Sequence, residues 1–415
     1  MKLTAGAGAL ALSFSLAACG GGETASEEPE KKAPAKGDGT FVVGQLLPQT
    51  GSLAFLGPPE FAGSDLAIQD INAAGGVLGK EVKRVVADAG DTTSAIAPAE
   101  ADKLIDAKSD VIIGTASSGV SMTVIDKIMS SGTVMFSPAN TSTEFDEGDY
   151  SKADLYFRTA PSDILQGAVM ANLLLEDKRT NVAILSRQDA YGETLAKEVK
   201  ANLEGAGSKV ATTAFYSEDA SSYSAQINEI AGSGADAVVV IAFEETKKLI
   251  PQLISAGVGP AKVPTYFVDG NLSDYSADFS KGELKGVKGT LPGAETAGDF
   301  KQQLLKVNPK LKDYSYAAES YDATIVSALA AIKADNDSGE AVAEEIVDIT
   351  TGGEKCETFA DCVKLLEEGK DIDYDGKSGP IELGETGSPT AASIGIYQYN
   401  DKGTYAPVKY IAGEV

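Results

Sequence analysis

Val111-Ile112-Ile113-Gly114-Thr115-Ala116-Ser117-Ser118-Gly119 is a short apolar run that ends abruptly in glycine, small residues and hydroxyls. Such a run, bounded by turn residues, reads as a strand buried on both faces. Val120 to Met129 follows at helical spacing, and Val134-Met135-Phe136 is the next strand. The alternation extends upstream. Phe41-Val42-Val43-Gly44 reads as a strand and is broken by Pro48-Gln49-Thr50-Gly51. Glu60 to Ala74 reads as a helix with Phe61, Ser64, Ile68 and Ile71 on one face, stopped by Gly75-Gly76. Val82 to Ala87 is strand-like and Ile96 to Ala107 helix-like.

The pattern restarts downstream. Helices are predicted over residues 164–175, 193–203 and 247–256, and strands over 182–185, 209–215, 237–242 and 266–268. Regular strand–helix alternation with fully apolar strands predicts parallel sheets covered on both faces. Two series, residues 40–158 and 159–285, predict two doubly wound α/β lobes. A long Ala-rich helix over Tyr316 to Ala334 and short strands such as Ile394-Gly395-Ile396-Tyr397 complete them. The expected division gives 39–158 and about 286–373 to lobe 1, and 159–285 and about 374–415 to lobe 2.

Composition removes whole classes of function. Among 415 residues the formal net charge is −26, which disfavours a nucleic-acid partner. There is no histidine, so the commonest general base, the Ser-His-Asp triad and most zinc sites are absent. No G-x-S-x-G, S-x-x-K or G-x-x-x-x-G-K motif occurs. A carboxylate pair such as Glu244 and Asp269 is the best footing for a hydrolase, and paired acids in clefts often only bind cations. The chain therefore reads as a binding protein rather than an enzyme, with no cofactor. Asp371-Ile372-Asp373-Tyr374-Asp375-Gly376 with Glu382 matches a calcium-loop spacing. Pro380 inside the loop and the glycines after Leu383 oppose the exiting helix, so a solvated turn is the expectation and no metal is assigned.

The N-terminus reads as an address. Met1-Lys2 is basic, and Leu3 to Ala18 is apolar but short for a membrane span, which needs ~20 residues. Leu16-Ala17-Ala18-Cys19-Gly20 resembles a bacterial lipobox, in which the cysteine, here Cys19, becomes the lipidated first residue. An ordinary signal with an incidental Cys19 is the alternative. Residues 1–18 are thus expected to be a signal peptide. Residues 19–38, with Gly20-Gly21-Gly22 and a charged, proline-bearing run, are expected to be a flexible tether. Outside the membrane a Cys356–Cys362 disulfide is expected, with two free thiols as the alternative.

In open parallel sheets ligands bind beyond the carboxyl ends of the strands. There this chain places Ser117 and Ser118 before a helix, Ser137-Pro138-Ala139-Asn140-Thr141, Asp189-Ala190-Tyr191-Gly192, Phe243-Glu244-Glu245 and Asp269-Gly270-Asn271. One lobe offers hydroxyls and backbone N–H groups, and the other offers carboxylates and aromatics. A cleft between them suits a small zwitterion: carboxylate on Ser118 and Thr141, ammonium on Asp269, walls from Tyr191 and Phe243. Taken singly, each Ser or Thr reads equally as a helix or turn cap.

At these residues the chain resembles the leucine/isoleucine/valine-binding protein family, the receptors of branched-chain amino-acid ABC importers. The resemblance covers about residues 40–410. It is carried by Gln45-Leu46-Leu47-Pro48-Gln49-Thr50-Gly51, Ala67-Ile68-Gln69-Asp70-Ile71-Asn72-Ala73-Ala74-Gly75-Gly76-Val77, Ile113 to Ser118, Phe136-Ser137-Pro138-Ala139 and Asp189-Ala190-Tyr191-Gly192. It implies two α/β lobes joined by three crossover strands, the type I periplasmic-binding-protein fold, with the ligand cleft between them. It places Ser118, the backbone at Ala139, and Thr141 on a ligand carboxylate, and Asp269 on the ammonium. Tyr191 and Phe243 become cleft aromatics, Phe55 and Leu56 touch the ligand side chain, and Tyr321 lines the cleft. The implied protein is an extracytoplasmic, lipid-anchored monomer that hands an aliphatic amino acid to an ABC permease. Asp269 stands where leucine receptors carry a longer Glu. Relatives bind urea, short amides and aromatic acids, so those ligands stay open, as does a sensor that signals to a membrane receptor.

Overall fold

The computed structural model describes residues 34–415. The first passage of the chain runs β1 (Val42–Leu47), α1 (Gly57–Ala73), β2 (Lys83–Asp88), α2 (Ala97–Asp106), β3 (Val111–Gly114), α3 (Ser118–Ser121), α4 (Ile125–Ser130), β4 (Val134–Ser137) and β5 (Tyr156–Arg158). The second runs α5 (Asp163–Glu176), β6 (Asn181–Arg187), α6 (Ala190–Gly205), β7 (Lys209–Tyr216), α7 (Ser224–Gly232), β8 (Ala237–Ile241), α8 (Thr246–Ser255), β9 (Thr265–Phe267) and β10 (Lys288–Pro292). The third runs α9 (Gly298–Val307), α10 (Ala317–Lys333), α11 (Gly339–Ile346), β11 (Glu354–Cys356), α12 (Phe359–Glu367) and β12 (Ile372–Tyr374), and the last is β13 (Ala391–Tyr399) and β14 (Tyr405–Glu414).

The first passage forms a wholly parallel sheet ordered β2-β1-β3-β4-β5. Because side chains alternate along a strand, β3 serves two layers. Val111 and Ile113 pack with Leu66 and Ile71 of α1 and Ile325 and Leu329 of α10. Ile112 packs on the opposite side with Leu104 of α2 and Ile125 and Ile128 of α4. The second sheet is ordered β14-β13-β10-β9-β8-β6-β7. It is parallel from β7 to β10, whereas β13 and β14 run antiparallel, so this lobe is mixed rather than purely parallel.

The chain crosses between the lobes after β5, after β10 and between β12 and β13. This is the type I periplasmic-binding-protein architecture. The expected division needs two corrections. Residues 288–292, assigned to lobe 1, form β10, whose backbone is claimed on both sides by β9 and β13 of the second sheet. Tyr374, Ile381 and Leu383, assigned to lobe 2, are buried in the first lobe's core. The single helix expected over Val120 to Met129 is two, with the Thr123 hydroxyl donating back to Val120 O at 2.7 Å between them.

The signal peptide and Cys19 lie outside the described residues. The tether expected to reach residue 38 is docked sooner. Ala35 N donates to Glu340 at 2.9 Å, Ser338 Oγ donates to Ala35 O at 2.7 Å, and Gly37 N donates to Asn336 at 2.8 Å. Cys356 and Cys362 form a disulfide, with Cα atoms 5.3 Å apart. The calcium-like segment is strand β12 followed by a turn. The buried Asp322 carboxylate clamps that turn, accepting from Lys377 N, Ser378 N and the Ser378 and Tyr374 hydroxyls at 2.6–2.9 Å.

Helices α1 and α10 approach closely because Gly63 has no side chain: a Cβ there would lie 2.0 Å from Ala317 O. Ser320 Oγ donates to Glu60 O at 2.7 Å across this contact. The contact also buries Glu60 completely, with neither carboxyl oxygen hydrogen-bonded. Burial, reinforced by Glu319, pushes the Glu60 carboxyl well above its usual range. Burial raises Glu319 to about 8. A carboxyl whose folded-state pKa is raised, as for Glu60, stabilises most below its ordinary 4.5 and loses that contribution as pH rises above it. Glu60→Gln, which cannot ionise, is therefore expected to exceed the parent in stability by about 1–3 kcal/mol at alkaline pH, with the gap closing in mild acid. Denaturation curves of both proteins across that window check this, and a pH-independent gap would refute it.

Candidate functional site

The carboxyl ends of β1, β3 and β4 face those of β8 and β9, and a small, tightly closed pocket lies between the lobes. The first lobe lines it with Leu53, Leu56, Ala116, Ser117, Ser118 and Ala139. The second lines it with Tyr191, Phe243, Asp269 and Gly270, and Tyr316 enters from the turn before α10.

The hydroxyl side is built by two interlocked loops. Gly114 (φ +138°) ends β3 where a Cβ would sit 2.1 Å from Leu46 O, so only glycine can make this exit. Ser137 Oγ donates to Thr115 O at 2.7 Å, and Asn140 Nδ2 donates to Thr115 O and Ala116 O at 3.0 Å. Ser117 accepts from Val120 N at 3.4 Å and so caps α3 while lining the pocket. Ser118 Oγ accepts from Thr141 N and Ser142 N at 3.4 Å each. The buried Thr141 hydroxyl faces the Asp163 carboxyl.

The acidic side centres on Asp269, 5 % exposed in a single turn after β9. Its Oδ1 accepts from Tyr191 OH at 2.6 Å and Gln166 Nε2 at 2.9 Å, and its Oδ2 from Tyr316 OH at 2.7 Å. Burial, then the charge of Asp269, pushes both phenols well above their usual range, so they stay protonated and donate. None of the described salt bridges pairs a lysine or arginine with Asp269, whose partners are all neutral. Asp163 lies nearby at the start of α5, with Thr194 Oγ1 3.2 Å from its Oδ2. Burial, then Asp269, raises its carboxyl strongly. A carboxylate held by neutral donors keeps its charge available for a cation.

The aromatic wall is braced from behind. The Tyr191 and Phe243 rings stack at 5.4 Å, and the Arg187 guanidinium lies 3.5 Å from the Phe243 ring centre on a cation–π contact. Arg187 is 2 % exposed and pairs with Asp189 at 2.7 Å, Glu218 at 2.5 Å and Glu245 at 2.9 Å. Glu245 in turn accepts from Phe243 N at 2.8 Å. Neither Glu244 nor Glu245 lines the pocket, since Glu244 pairs with Lys247.

The pocket therefore gathers Leu56, Ser117, Ser118, Ala139, Tyr191, Phe243 and Asp269, with Thr141 beside Ser118. Phe55 faces an adjoining groove that it shares with Tyr316. Tyr321 is a correction: its hydroxyl donates to Asp70 at 2.8 Å and its ring packs on Phe300. Five residues beyond Tyr316, it lies about 140° further round the helix. Tyr316 and Gln166 escaped the sequence reading because neither follows a strand. Arg187 does follow one, and a lone cation at the end of an apolar strand was a usable signal.

The periplasmic binding protein family matches this sequence over residues 40–404. The chain belongs to that family. The periplasmic binding proteins it resembles include the leucine-, isoleucine-, valine-, threonine- and alanine-binding protein of Pseudomonas aeruginosa, 28% identical over 89% of this chain and 92% of the relative. Among solved structures, the leucine-binding protein LivK of Thermotoga maritima superposes with TM-score 0.73 at 20% identity, over 90% of this chain and 99% of that one. A solute-binding protein from R. palustris in complex with benzoate superposes with TM-score 0.70 at 18% identity, over 91% and 98%.

Removing the Arg187 cation would leave three clustered carboxylates without their partner and free the Phe243 ring. Arg187→Met is expected to destabilise the protein by about 3–5 kcal/mol. Arg187→Lys should recover little of it, because an ammonium cannot fork to three acids and stack at once. Chemical denaturation of the two variants reads this directly, and an unchanged midpoint for Arg187→Met would remove the bracing role.

Proposed function

We propose that this chain is the ligand-capturing receptor of an ABC importer and that the interlobe pocket takes a small α-amino acid with an aliphatic side chain. The carrying observation is Asp269, a buried carboxylate with only neutral partners, opposite a wall of hydroxyls. The ammonium group sits on Asp269. The ligand carboxylate meets Ser118, Thr141 and the backbone at Ala139. The aliphatic body lies against Tyr191, Phe243, Leu53 and Leu56. The Pseudomonas aeruginosa relative, a leucine-, isoleucine-, valine-, threonine- and alanine-binding protein, supports the ligand class. A purely anionic ligand of the benzoate kind would meet Asp269 without an ammonium to offset its charge.

The mechanism is hinge closure. The ligand docks on one lobe, and the other closes over it through the three crossing segments. In the closed form the lobes touch beside the pocket, where the Thr194 and Ser142 hydroxyls lie 3.3 Å apart. That closed face is what the permease reads. The same proposal places lipid on Cys19 and holds the receptor, as a monomer, at the outer face of the membrane.

A thermal-shift screen against the twenty amino acids, urea, short amides and benzoates tests the ligand class, because a ligand selective for the folded state raises the midpoint by mass action. A shift confined to aliphatic amino acids is expected, whereas a shift with benzoates alone would overturn the amino-acid reading. Asp269→Ala is expected to weaken binding by ~2–5 kcal/mol, since it leaves a buried ammonium unpaired. Ser118→Ala should cost roughly 1–3 kcal/mol, the value of one hydrogen bond to a charged group. Calorimetric titration of both variants gives these differences, and full affinity in Asp269→Ala would take that residue out of the site.

A further inference from the structure

Behind the interlobe pocket, the three crossing segments border a second, partly open cavity of about 370 Å3. Thr159 and Pro161 come from the first crossing, Gly293 and Ala294 from the second, and Pro380 and Ile381 from the third. The end of β14 closes one side. None of the residues that line the interlobe pocket lines this one. Its volume falls in the range of small-molecule sites, about 300–1,000 Å3.

The walls are mostly apolar or backbone, and one polar group in them is deeply buried. Glu319, 4 % exposed in the first turn of α10, borders the cavity. Its Oε1 lies directly against Gly293 (φ +112°), where a Cβ would come within 2.5 Å of it. Its backbone carbonyl is fixed by Thr159 Oγ1 at 3.0 Å. None of the described salt bridges pairs its carboxyl with a lysine or arginine and none lines this cavity, whereas Lys301 and Lys312 line the groove that Glu319 also borders. Glu414 at the end of β14 is the other acidic group in the lining. Glu60 is also buried and unpartnered, but it borders no described cavity, so no ligand can reach it.

A carboxyl so placed is poorly served in either state. Ionised, it lacks a cation; protonated, its O–H has no acceptor among the described hydrogen bonds. A primary ammonium ion would supply the missing charge and donors, and an apolar body would fill the remaining space. We propose that the hinge cavity is a second ligand site for a small primary amine, bound as its ammonium ion on Glu319 with its hydrocarbon part between the crossing segments. An occupant there touches all three crossings while the lobes are closed on the interlobe pocket. It therefore favours the closed form and tightens binding at Asp269, and the interlobe ligand tightens the amine by the same factor.

The probes are butylammonium and benzylammonium, with 1-butanol and benzyl alcohol as neutral counterparts, titrated calorimetrically into the full protein. Asp269→Ala serves as the background that keeps amines from the interlobe pocket, so the result does not depend on which ligand that pocket takes. One amine is expected to bind per chain at millimolar concentration, with no binding of the alcohols. Glu319→Gln is expected to weaken the amine at least ~10-fold, the loss of a charge-assisted contact, while interlobe ligand affinity measured without amine stays within about twofold. Ala294→Leu, which narrows the cavity and leaves the acid in place, should weaken the amine as well, and it carries the test if Glu319→Gln does not fold. Amine binding that survives both variants, that vanishes in Asp269→Ala, or that is absent from the parent would overturn the proposal.

Discussion

The polypeptide passes between its two sheets three times, and neither lobe is a continuous stretch of sequence. Lobe 1 cannot be completed until α9 to α12 return to cover β1 and β3. Lobe 2 lacks β13 and β14 until the last passage. Each core therefore depends on segments that have already crossed the gap. The crossings also bring the carboxyl ends of both parallel sets of strands toward one another. Polar turns gather at those ends because a strand buried on both faces can change direction only where its backbone groups find other partners.

Within the gap, the chemistry follows from how charge is housed. Arg187 and its three acids form a closed network in which every charge has a partner, and its result is mechanical, since it fixes one aromatic ring. Asp269 is the opposite case. Phenols and an amide orient it without neutralising it, so its field is directed into the pocket. The same low dielectric that makes an unpaired buried charge costly makes its attraction for a cation strong. The two arrangements lie only one strand apart, β6 against β8 and β9. The difference between the two is therefore set by the partners each acid is given.

Much of this was legible in the sequence. The strands were readable because they are buried on both faces and so consist of unbroken apolar runs. Ser118, Tyr191, Phe243 and Asp269, which follow strands, were expected at the strand ends by topology alone, and they line the interlobe pocket. What escaped the reading depends on contacts between distant segments. Tyr316 reaches the pocket from a turn whose only strand-like neighbour is far away in sequence. Gln166 reaches Asp269 from inside a helix. Tyr321 was misplaced because its segment is right but its helical phase is not, and phase follows from how α10 lies on α1. The lobe boundaries drifted for a related reason: β10 is short and carries Gly289 and Pro292, so its sequence does not announce which sheet will claim it.

The docking of Ala35 and Gly37 onto residues 336–340 has a consequence for motion. That contact lies wholly on lobe 1, so the chain leaves the body from one lobe and not from the hinge. The stretch from Cys19 to Ala35 spans at most about 55 Å when fully extended. If, as proposed, lipid sits on Cys19, lobe 1 would be the stator and lobe 2 the rotor, and closure over a ligand would swing the unmoored half without pulling on the mooring line.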